Sequence, residues 1–379
     1  MKKILVVLLA LTLVAMPFVG CAPQAADPPP AANGGAPPAG VEPGFVGISM
    51  PTQSSPRWIS DGNSLQDQLR ALGFRTTLQF GEDVVADQIS QIEGMIVEGV
   101  DILVIAAIDG SALGTVLADA AAEGITIIAY DRLIMDTPHV SYYATFDNFA
   151  VGVMQANSLL KGLGIYPSPP AGAGPYNLEL FGGSPDDNNA FLFYDGAMSV
   201  LQPLIDNGTF VVRSGEMGMA TVGTLGWRAE GAQSRMENLL ITHYADPGVR
   251  VDAVLAPYDG LSLGIIAALR GAGYGTDAQP WPVISGQDAT VAGIQAIING
   301  ELSATVFKDT RDLAAATVTM INAILAGDTV PVNDTTTYYN NVFVVPSYLL
   351  DIVHVDANNW REAIIDTGYH SIDQFVNVP

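Results

Sequence analysis

Cysteine and positive charge are both scarce in this chain of 379 residues. Its one cysteine, Cys21, cannot form a disulfide within the chain. Only 15 side chains are Lys or Arg, against 39 that are Asp or Glu, and the formal net charge is −24. A surface this acidic repels phosphate backbones and anionic lipid headgroups. The composition therefore argues against nucleic-acid binding and against attachment to a membrane surface through charge.

Sequence signatures of catalysis are also missing. The four histidines, His139, His243, His354 and His370, form no HExxH or comparable metal pattern, and no GxSxG elbow is present. The glycine-rich stretch 271–275 follows a helical period and not a strand, so a helix C-cap explains it better than a dinucleotide-binding fingerprint. We therefore expect a protein that is not an enzyme and that has no cofactor and no metal in its ligand site.

Residues 1–21 have the pattern of an export signal. Two lysines precede an apolar run, Ile4 to Met16, which is short for a transmembrane helix but typical of a signal-peptide core. The sequence FVGC that ends at Cys21 resembles the lipobox of bacterial lipoproteins, although Phe18 stands where that family usually has Leu. The resemblance implies that Cys21 is lipidated. The alternative is an ordinary secretory signal that contains a chance cysteine.

A change of composition separates this signal from a folded body. Residues 22–44 are rich in Pro, Ala and Gly, which predicts a disordered tether. From Phe45 onward, short apolar runs alternate with helical periods. The predicted strands are 45–50, 76–80, 102–108, 126–130, 177–181, 210–214, 253–257, 283–286, 304–307 and 342–346. Such βα alternation is typical of parallel sheets, and its extent predicts an α/β fold with two doubly wound lobes.

The stretch from Asn177 to Leu201 indicates where a ligand would bind. An apolar run ends at residues 182–185, Gly-Gly-Ser-Pro, and four polar side chains, Asp186 to Asn189, precede an amphipathic period. This order predicts a strand, a tight turn and a helix N-terminus, at the edge of a parallel sheet where ligands bind. The alternative is that one of these side chains only caps the helix, but a cap needs one side chain and four are present.

Similar polar groups follow at least five other predicted strands. They are Pro51 to Trp58, Asp109-Gly110-Ser111, Asp131-Arg132, Tyr258-Asp259-Gly260, Gln287-Asp288 and Lys308-Asp309. Carboxylates, amides and cations together suit hydroxyl groups, each of which both donates and accepts. Arg57, Arg132 and Lys308 are balanced by aspartates, which argues against an anionic ligand. We predict a small, neutral, polyhydroxylated ligand, with Trp58 and Trp227 as flat faces for a pyranose ring.

Most of these residues also have a structural interpretation. Asp109 and Asp259 each precede a glycine, and each alone is better explained as a turn or cap residue. The pair Asp131-Arg132 could be a structural ion pair, and Trp227 could be a core aromatic. These alternatives stay open. The pair Arg57-Trp58, in a polar loop after the first strand, is harder to explain in this way.

Together, these stretches resemble the type I periplasmic sugar-binding proteins of ABC transporters, in the xylose-binding and ChvE-like multiple-sugar branch. The matching stretches between Phe45 and Leu350 include MPTQSSPRWISDGN, IIAYDRLI, ELFGGSPDDNNAFLFYDGAMSVL, PYDGLSLGII, ISGQDA and TVFKDTRDLA. The resemblance implies that Arg57, Trp58, Asp109, Arg132, Asn188 or Asn189, Trp227, Asp259, Asp288 and Lys308 contact the sugar. Asp109 departs from the xylose-specific group, which tends to have Asn, and this favours the multiple-sugar branch.

The resemblance also implies two lobes joined by a three-segment hinge. The expected N-terminal lobe is 45–146 plus 291–328, the expected C-terminal lobe is 147–290 plus 329–379, and the expected crossings lie near 146–149, 288–292 and 328–333. Because each lobe would make half of the contacts, ligand would bind the closed state better than the open one.

The implied function is capture of a monosaccharide of the xylose, glucose, galactose or arabinose class and its delivery to an ABC importer. The implied partners are the permease and ATPase, and the receptor is expected to be monomeric and lipid-anchored at the outer face of the cell membrane. The alternative is a sugar sensor that presents its closed form to a signalling receptor. A transcription regulator of this fold is discarded, because it would need a helix-turn-helix before Phe45.

Overall fold

The computed structural model describes residues 43–378. The predicted export signal, the lipidation of Cys21 and nearly all of the predicted tether 22–44 lie outside the described residues. No helix in the described part of the chain is both long and apolar enough to cross a bilayer.

Strands and helices alternate along the chain, as the sequence predicts. The strands are β1 (Phe45–Met50), β2 (Arg75–Phe80), β3 (Ile102–Ile105), β4 (Thr126–Tyr130), β5 (Tyr142–Phe146), β6 (Tyr176–Leu180), β7 (Phe210–Val212), β8 (Ala253–Leu255), β9 (Val283–Ile284), β10 (Ala304–Phe307), β11 (Ser347–Leu350) and β12 (Val353–Asp356). The helices are α1 (Pro56–Ala71), α2 (Val85–Glu98), α3 (Gly114–Ala122), α4 (Asn148–Gly162), α5 (Asn188–Asp206), α6 (Met219–Val222), α7 (Ala229–His243), α8 (Asp259–Gly271), α9 (Val291–Ile298) and α10 (Thr310–Ala326). Short 3₁₀ turns cover Leu225–Trp227 and Ile372–Gln374, and a π-helical turn covers Arg361–Asp366.

The first lobe is built on a parallel sheet with the strand order β11-β5-β4-β3-β1-β2. Every residue of β1 and β3 is buried, as expected of apolar strands that are covered on both faces. Residues of α2 and α3, such as Ile92 and Leu117, pack on one face, and residues of α1 and α10, such as Leu65 and Leu313, pack on the other.

The second lobe contains a parallel sheet with the order β7-β6-β8-β9. The strand β10 continues this sheet, since the amide of Val306 donates to the carbonyl of Gly286 over 3.1 Å, and β12 pairs with β10 in the antiparallel sense. Helices α4 and α5 contribute to one apolar core of this lobe, and α7, α8 and α9 contribute to another.

The chain passes between the lobes at 146–148, at 307–310 and at 350–353. The first position agrees with the expected crossing, but the crossings expected near 288–292 and 328–333 are elsewhere. Helix α9 packs into the second lobe, where Ile294 joins the core that contains Ile265, so residues 291–307 do not belong to the first lobe. Strand β11 pairs with β5 in the first sheet, so residues 329–350 do not belong to the second.

Two further differences concern the strands. The prediction of a strand at 342–346 is wrong, because β11 starts only at Ser347. The residues before it form an isolated antiparallel bridge between Tyr339 and Val344. The strands β5 and β12 were not predicted. Periodicity gives the apolar face of an element, but the neighbour against which that face packs depends on contacts distant in sequence.

Candidate functional site

A cavity of about 810 Å³ lies between the lobes, at the carboxyl ends of their parallel strands. The first lobe contributes Thr52, Ser54, Ser55, Arg57, Trp58, Asp83, Ile108, Asp131 and Arg132, and the second contributes Asp186, Asp187, Asn189, Phe193, residues 225–230, Tyr258, Gly260, Gln287, Asp288 and Lys308. The strand ends of an open α/β sheet are the usual place for a ligand, and this volume suits a small molecule.

Four charged side chains form the floor of the cavity, and a fifth, Asp61, contacts Arg57 from behind the lining. We call these five the charge cluster: Arg57, Asp61, Asp131, Asp288 and Lys308. Arg57 is central, because its Nε lies 3.1 Å from Asp61, its Nη1 lies 3.2 Å from Asp288 and its Nη2 contacts Asp131. The Nζ of Lys308 lies 3.3 Å from Asp288 and 3.8 Å from Asp131. All five are buried, and the cluster draws residues from both lobes.

Local structure explains how the side chains of the charge cluster come together. Arg57 and Asp61 are four residues apart in α1, so they share one face of the helix. Asp131 and Asp288 follow β4 and β9, and both have positive φ, 57° and 86°. Non-glycine residues rarely hold this conformation outside functional sites and tight turns. Lys308 directly follows β10.

Burial and charge act against each other in the charge cluster. Burial works to raise the pKa of Asp131, but the positive charges of Arg57 and Lys308 outweigh it and the net shift is downward. Burial raises the pKa of Asp61 to about 7, although Arg57 opposes the shift. At the cavity lining, the side chains of Arg57 and Lys308 thus face an equal number of carboxyl groups, those of Asp131 and Asp288. A floor with so little net charge suits a neutral ligand.

The two predicted aromatic faces are both present. Trp58 is 6% exposed, and the guanidinium carbons of Arg57 and Arg132 each lie 5.0 Å from its ring centroid. Trp227 packs edge-on against Phe193 and Tyr258, with centroid distances of 6.3 and 6.2 Å.

The indole of Trp227 is fitted closely to the turn that follows β6. A Cβ atom at Gly183 would overlap the ring of Trp227, so this turn requires glycine. Trp227 itself has a positive φ of 55°. Its Nε1 is buried and has no hydrogen-bond partner within residues 43–378. The ring of Trp227 thus lies against one wall of the cavity, on a backbone in the left-handed region.

Direct contacts between the lobes surround the cavity. The Nε of Arg132 lies 3.0 Å from Asp187, and the Nδ2 of Asn189 donates to the backbone carbonyl of Asp131 over 2.7 Å. Tyr143 donates its hydroxyl to the Oδ1 of Asn189 over 3.1 Å. Asp187 also accepts from the amide of Asn189, and so caps α5 as well as pairing with Arg132.

Three of the predicted site residues do not line the cavity: Asp109, Asn188 and Asp259. Asp109 accepts a hydrogen bond from the amide of Ser111 over 2.8 Å, which is a turn contact. Asp259 is fully buried and accepts from the amide and hydroxyl of Thr290 and from the hydroxyl of Thr305. The structural alternative considered for these two aspartates matches their observed contacts. Asn188 is the first residue of α5 and is only half-buried.

Other cavity residues were absent from the predicted site. Asp131 was interpreted as a possible partner of Arg132, but it contacts Arg57 and Lys308, and Arg132 pairs with Asp187 instead. Its position directly after a buried strand was a usable signal. The predicted site included Asp259 and not its neighbour Tyr258, although Tyr258 is the one that lines the cavity. In a Tyr-Asp-Gly turn, sequence alone does not tell which side chain faces the ligand.

The charged groups of the cavity are not arranged as a metal centre. Within residues 43–378, no group of three or more His, Cys, Asp or Glu side chains is placed to hold a metal ion. The carboxylates of the charge cluster instead contact Arg57 and Lys308. The arrangement therefore offers hydrogen bonds and flat apolar surface.

Comparisons with known proteins agree with this geometry. A family model described as "Periplasmic binding protein domain" matches residues 46–329. The multiple sugar-binding periplasmic receptor ChvE of Rhizobium radiobacter is 55% identical over 339 residues, which cover 89% of this chain and 94% of that protein. The D-xylose-binding periplasmic protein of Escherichia coli (strain K12) is 37% identical over 325 residues, which cover 86% and 90%.

A solved structure is similar over nearly its whole length. It is an ABC transporter solute-binding protein from Clostridium phytofermentans with bound β-D-glucose. Its TM-score is 0.82 and its sequence identity 45%, and the match covers 87% of this chain and 99% of that chain.

Proposed function

This chain belongs to the type I periplasmic binding protein family, and on that premise we propose that it captures a monosaccharide between its lobes and delivers it to an ABC importer. The ligand class is xylose, glucose, galactose or arabinose. The relatives described above are named as sugar-binding proteins, and the Clostridium structure contains β-D-glucose.

The observation that carries this proposal is the balance of charge on the cavity floor. Asp131 and Asp288 offer acceptors, and Arg57 and Lys308 offer donors, all buried and within 4 Å of an opposite charge. Each sugar hydroxyl needs both kinds of partner. Hydrogen bonds to charged groups contribute about 1.5–3 kcal/mol each, so a few such contacts account for tight binding of a neutral sugar.

We assign roles to the cavity residues on the same basis. Arg57, Asp131, Asp288 and Lys308 bind ring hydroxyls, and Arg132 and Asn189 bind others near Asp187. Trp58 and Trp227 supply flat apolar faces for the C–H surfaces of the pyranose. No group in this set is arranged as an activated nucleophile with its base, so we propose a receptor and not an enzyme.

Capture follows from the division of these groups between the lobes. Arg57 and Asp131 belong to the first lobe, and Asp288 and Lys308 belong to the second. A sugar that touches both sets stabilises the closed arrangement over the open one, and the population shifts toward it. Rotation at the three crossings then brings the lobes together, and the closed form is the state that a permease recognises.

We propose further that the protein is exported and held at the outer face of the cell membrane by a lipid on Cys21, as a monomer. Periplasmic relatives support export. Replacement Cys21→Ser should release the protein from the membrane fraction into the soluble fraction. Retention of the variant in the membrane fraction would contradict the lipid anchor and leave the sugar site unaffected.

Thermal melting against a panel of monosaccharides tests the binding function. A ligand that binds only the folded state raises the melting temperature by mass action. We expect a clear rise with at least one of xylose, glucose, galactose and arabinose, and no rise with the same sugar in the Asp288→Ala variant. A native circular dichroism spectrum controls for misfolding. Absence of any rise with pentoses and hexoses would contradict the monosaccharide assignment.

A further inference from the structure

The cavity has two parts that differ in burial. The inner chamber is formed by the charge cluster together with Trp58 and Trp227. The outer chamber is formed by Ser54 and Asp83 of the first lobe and by Leu225, Arg228 and Glu230 of the second. These five residues are all exposed, and Leu225 is 72% exposed.

The two rims of the cavity also differ in how firmly they are joined. On one rim, Arg132 pairs with Asp187, and the amide of Gly110 donates to the carbonyl of Asp186 over 3.2 Å. On the other rim, within residues 43–378, no hydrogen bond or ion pair joins Ser54 or Asp83 to residues 225–230. One contact joins the lobes beside them, where the hydroxyls of Ser55 and Tyr258 lie 3.2 Å apart. Beyond that contact, the cavity opens toward solvent through the outer chamber.

The size of the cavity exceeds the need of one sugar. A hexose has about twelve non-hydrogen atoms, and if each takes no more room than a water molecule, about 30 Å³, the sugar fills at most about 360 Å³. The cavity of about 810 Å³ is more than twice that volume. A monosaccharide held by the charge cluster would leave the outer chamber unfilled.

We propose that the outer chamber is a second subsite, which takes the next sugar unit of a disaccharide or a substituent of similar size. The side chains of Arg228 and Glu230 supply a donor and an acceptor, and neither side chain has a hydrogen-bond or ion-pair partner among the described residues. Leu225 supplies an exposed apolar face beside them. Ser54 and Asp83 face them from the first lobe. This inference deepens the proposed function, because it rests on the inner chamber binding a sugar.

Titration calorimetry with matched probes tests the subsite. The purified protein is titrated with D-glucose, D-xylose, cellobiose, maltose and xylobiose. We expect at least one disaccharide to bind with a Kd within about tenfold of that of its monosaccharide. The variants Arg228→Ala and Leu225→Ala should each weaken disaccharide binding about tenfold more than monosaccharide binding. Arg250→Ala, an exposed arginine of the same lobe that lies outside the cavity, is the control and should not change the ratio.

The outcomes separate this inference from the proposal on which it rests. Binding of a monosaccharide without binding of any disaccharide would overturn the second subsite and leave the sugar receptor standing. Disaccharide binding with an unchanged ratio in both outer-chamber variants would also overturn it. If no sugar binds at all, the sugar receptor itself is overturned, and the second subsite with it.

Discussion

Asp131 and Asp259 share one sequence signal, an aspartate after an apolar strand, but they have different roles. Each follows a buried strand in a different lobe, and each is buried. Asp131 contacts two cations at the cavity floor, and its pKa is lowered. Asp259 contacts threonines behind the cavity, and burial raises its pKa to about 7 despite those hydrogen bonds.

The side chains that contact a buried carboxylate after a strand decide its role. Asp259 fills a space between Gly286 and Gly293, where an added Cβ would overlap its carboxyl group. It links the start of α9 to β10 and so holds the second lobe together. Asp131 meets Arg57 of its own lobe and Lys308 of the other lobe, so part of its charge balance comes from across the cleft. One aspartate stabilises a lobe, and the other serves the cleft.

The largest expected effect is on sugar affinity after Asp131→Asn. Asparagine keeps the shape of the aspartate side chain but removes the charge that faces Arg57 and Lys308. Loss of one or two charge-assisted contacts of about 1.5–3 kcal/mol each should raise the Kd of the bound monosaccharide about a hundredfold. Titration calorimetry measures this, with Asp259→Asn as the matched control, whose Kd should change less than about threefold. Equal losses in both variants would remove the distinction between the two aspartates.

The second effect is on stability after Asp259→Ala. The amide of Thr290 and the hydroxyl of Thr305 would lose a buried partner, which should lower the free energy of unfolding by about 2–3 kcal/mol. Urea unfolding measures the loss. Sugar affinity of the folded variant should stay near that of the original chain. An unchanged urea midpoint would show that Asp259 does not hold the lobe together.

The stability of the fold should depend on pH through Asp259. The pKa of Asp259 is about 7 in the fold, against an ordinary 3.8. Between about pH 4 and pH 7 the fold therefore keeps a proton that the unfolded chain has lost, and stability falls as the pH rises through this window. Asp61 contributes in the same direction. Urea unfolding at pH 5 and at pH 7.5 measures this effect. Between these two pH values, the free energy of unfolding should fall by about 2 kcal/mol less in Asp259→Asn than in the original chain. Identical pH profiles would contradict the raised pKa.

The smallest expected effect belongs to Asp109→Ala. This side chain lies outside the cavity and accepts one hydrogen bond from the amide of Ser111. Removal of such a turn contact should cost about 0.5 kcal/mol of stability. Sugar affinity, measured by calorimetry, should be unchanged. A tenfold loss of affinity would instead place Asp109 among the residues that bind the ligand.

Much of the fold follows from the sequence, because parallel strands buried on both faces appear as unbroken apolar runs. Seven of the ten predicted site residues line the cavity: Arg57, Trp58, Arg132, Asn189, Trp227, Asp288 and Lys308. The strand ends identify all of them except Trp227, since parallel strands deliver their following residues to one edge, whereas Trp227 lies in a turn between two helices. The identity of each partner could not be predicted. The pairing of Arg132 with Asp187 depends on how two lobes meet, and no local pattern encodes it.

The predicted lobe boundaries were wrong for the same reason. Helix α9 has the expected type but packs in the second lobe, and strand β11, which lies in a segment assigned to the second lobe, pairs in the first sheet. Whether a helix stays beside the preceding strand or crosses over is decided by its packing partner. Ile294 is equally apolar in either lobe, so its sequence environment carries no information on that choice.

The position of Lys308 bears on how quickly a captured molecule can leave. This side chain reaches the charge cluster, yet its backbone lies inside the crossing at 307–310. A residue that we propose to bind the sugar is therefore part of the segment that we expect to rotate when the lobes separate. On that proposal, release is coupled to a collective rotation, a kind of motion that occurs on the microsecond-to-millisecond scale, and a stiffer crossing would prolong residence without any new contact.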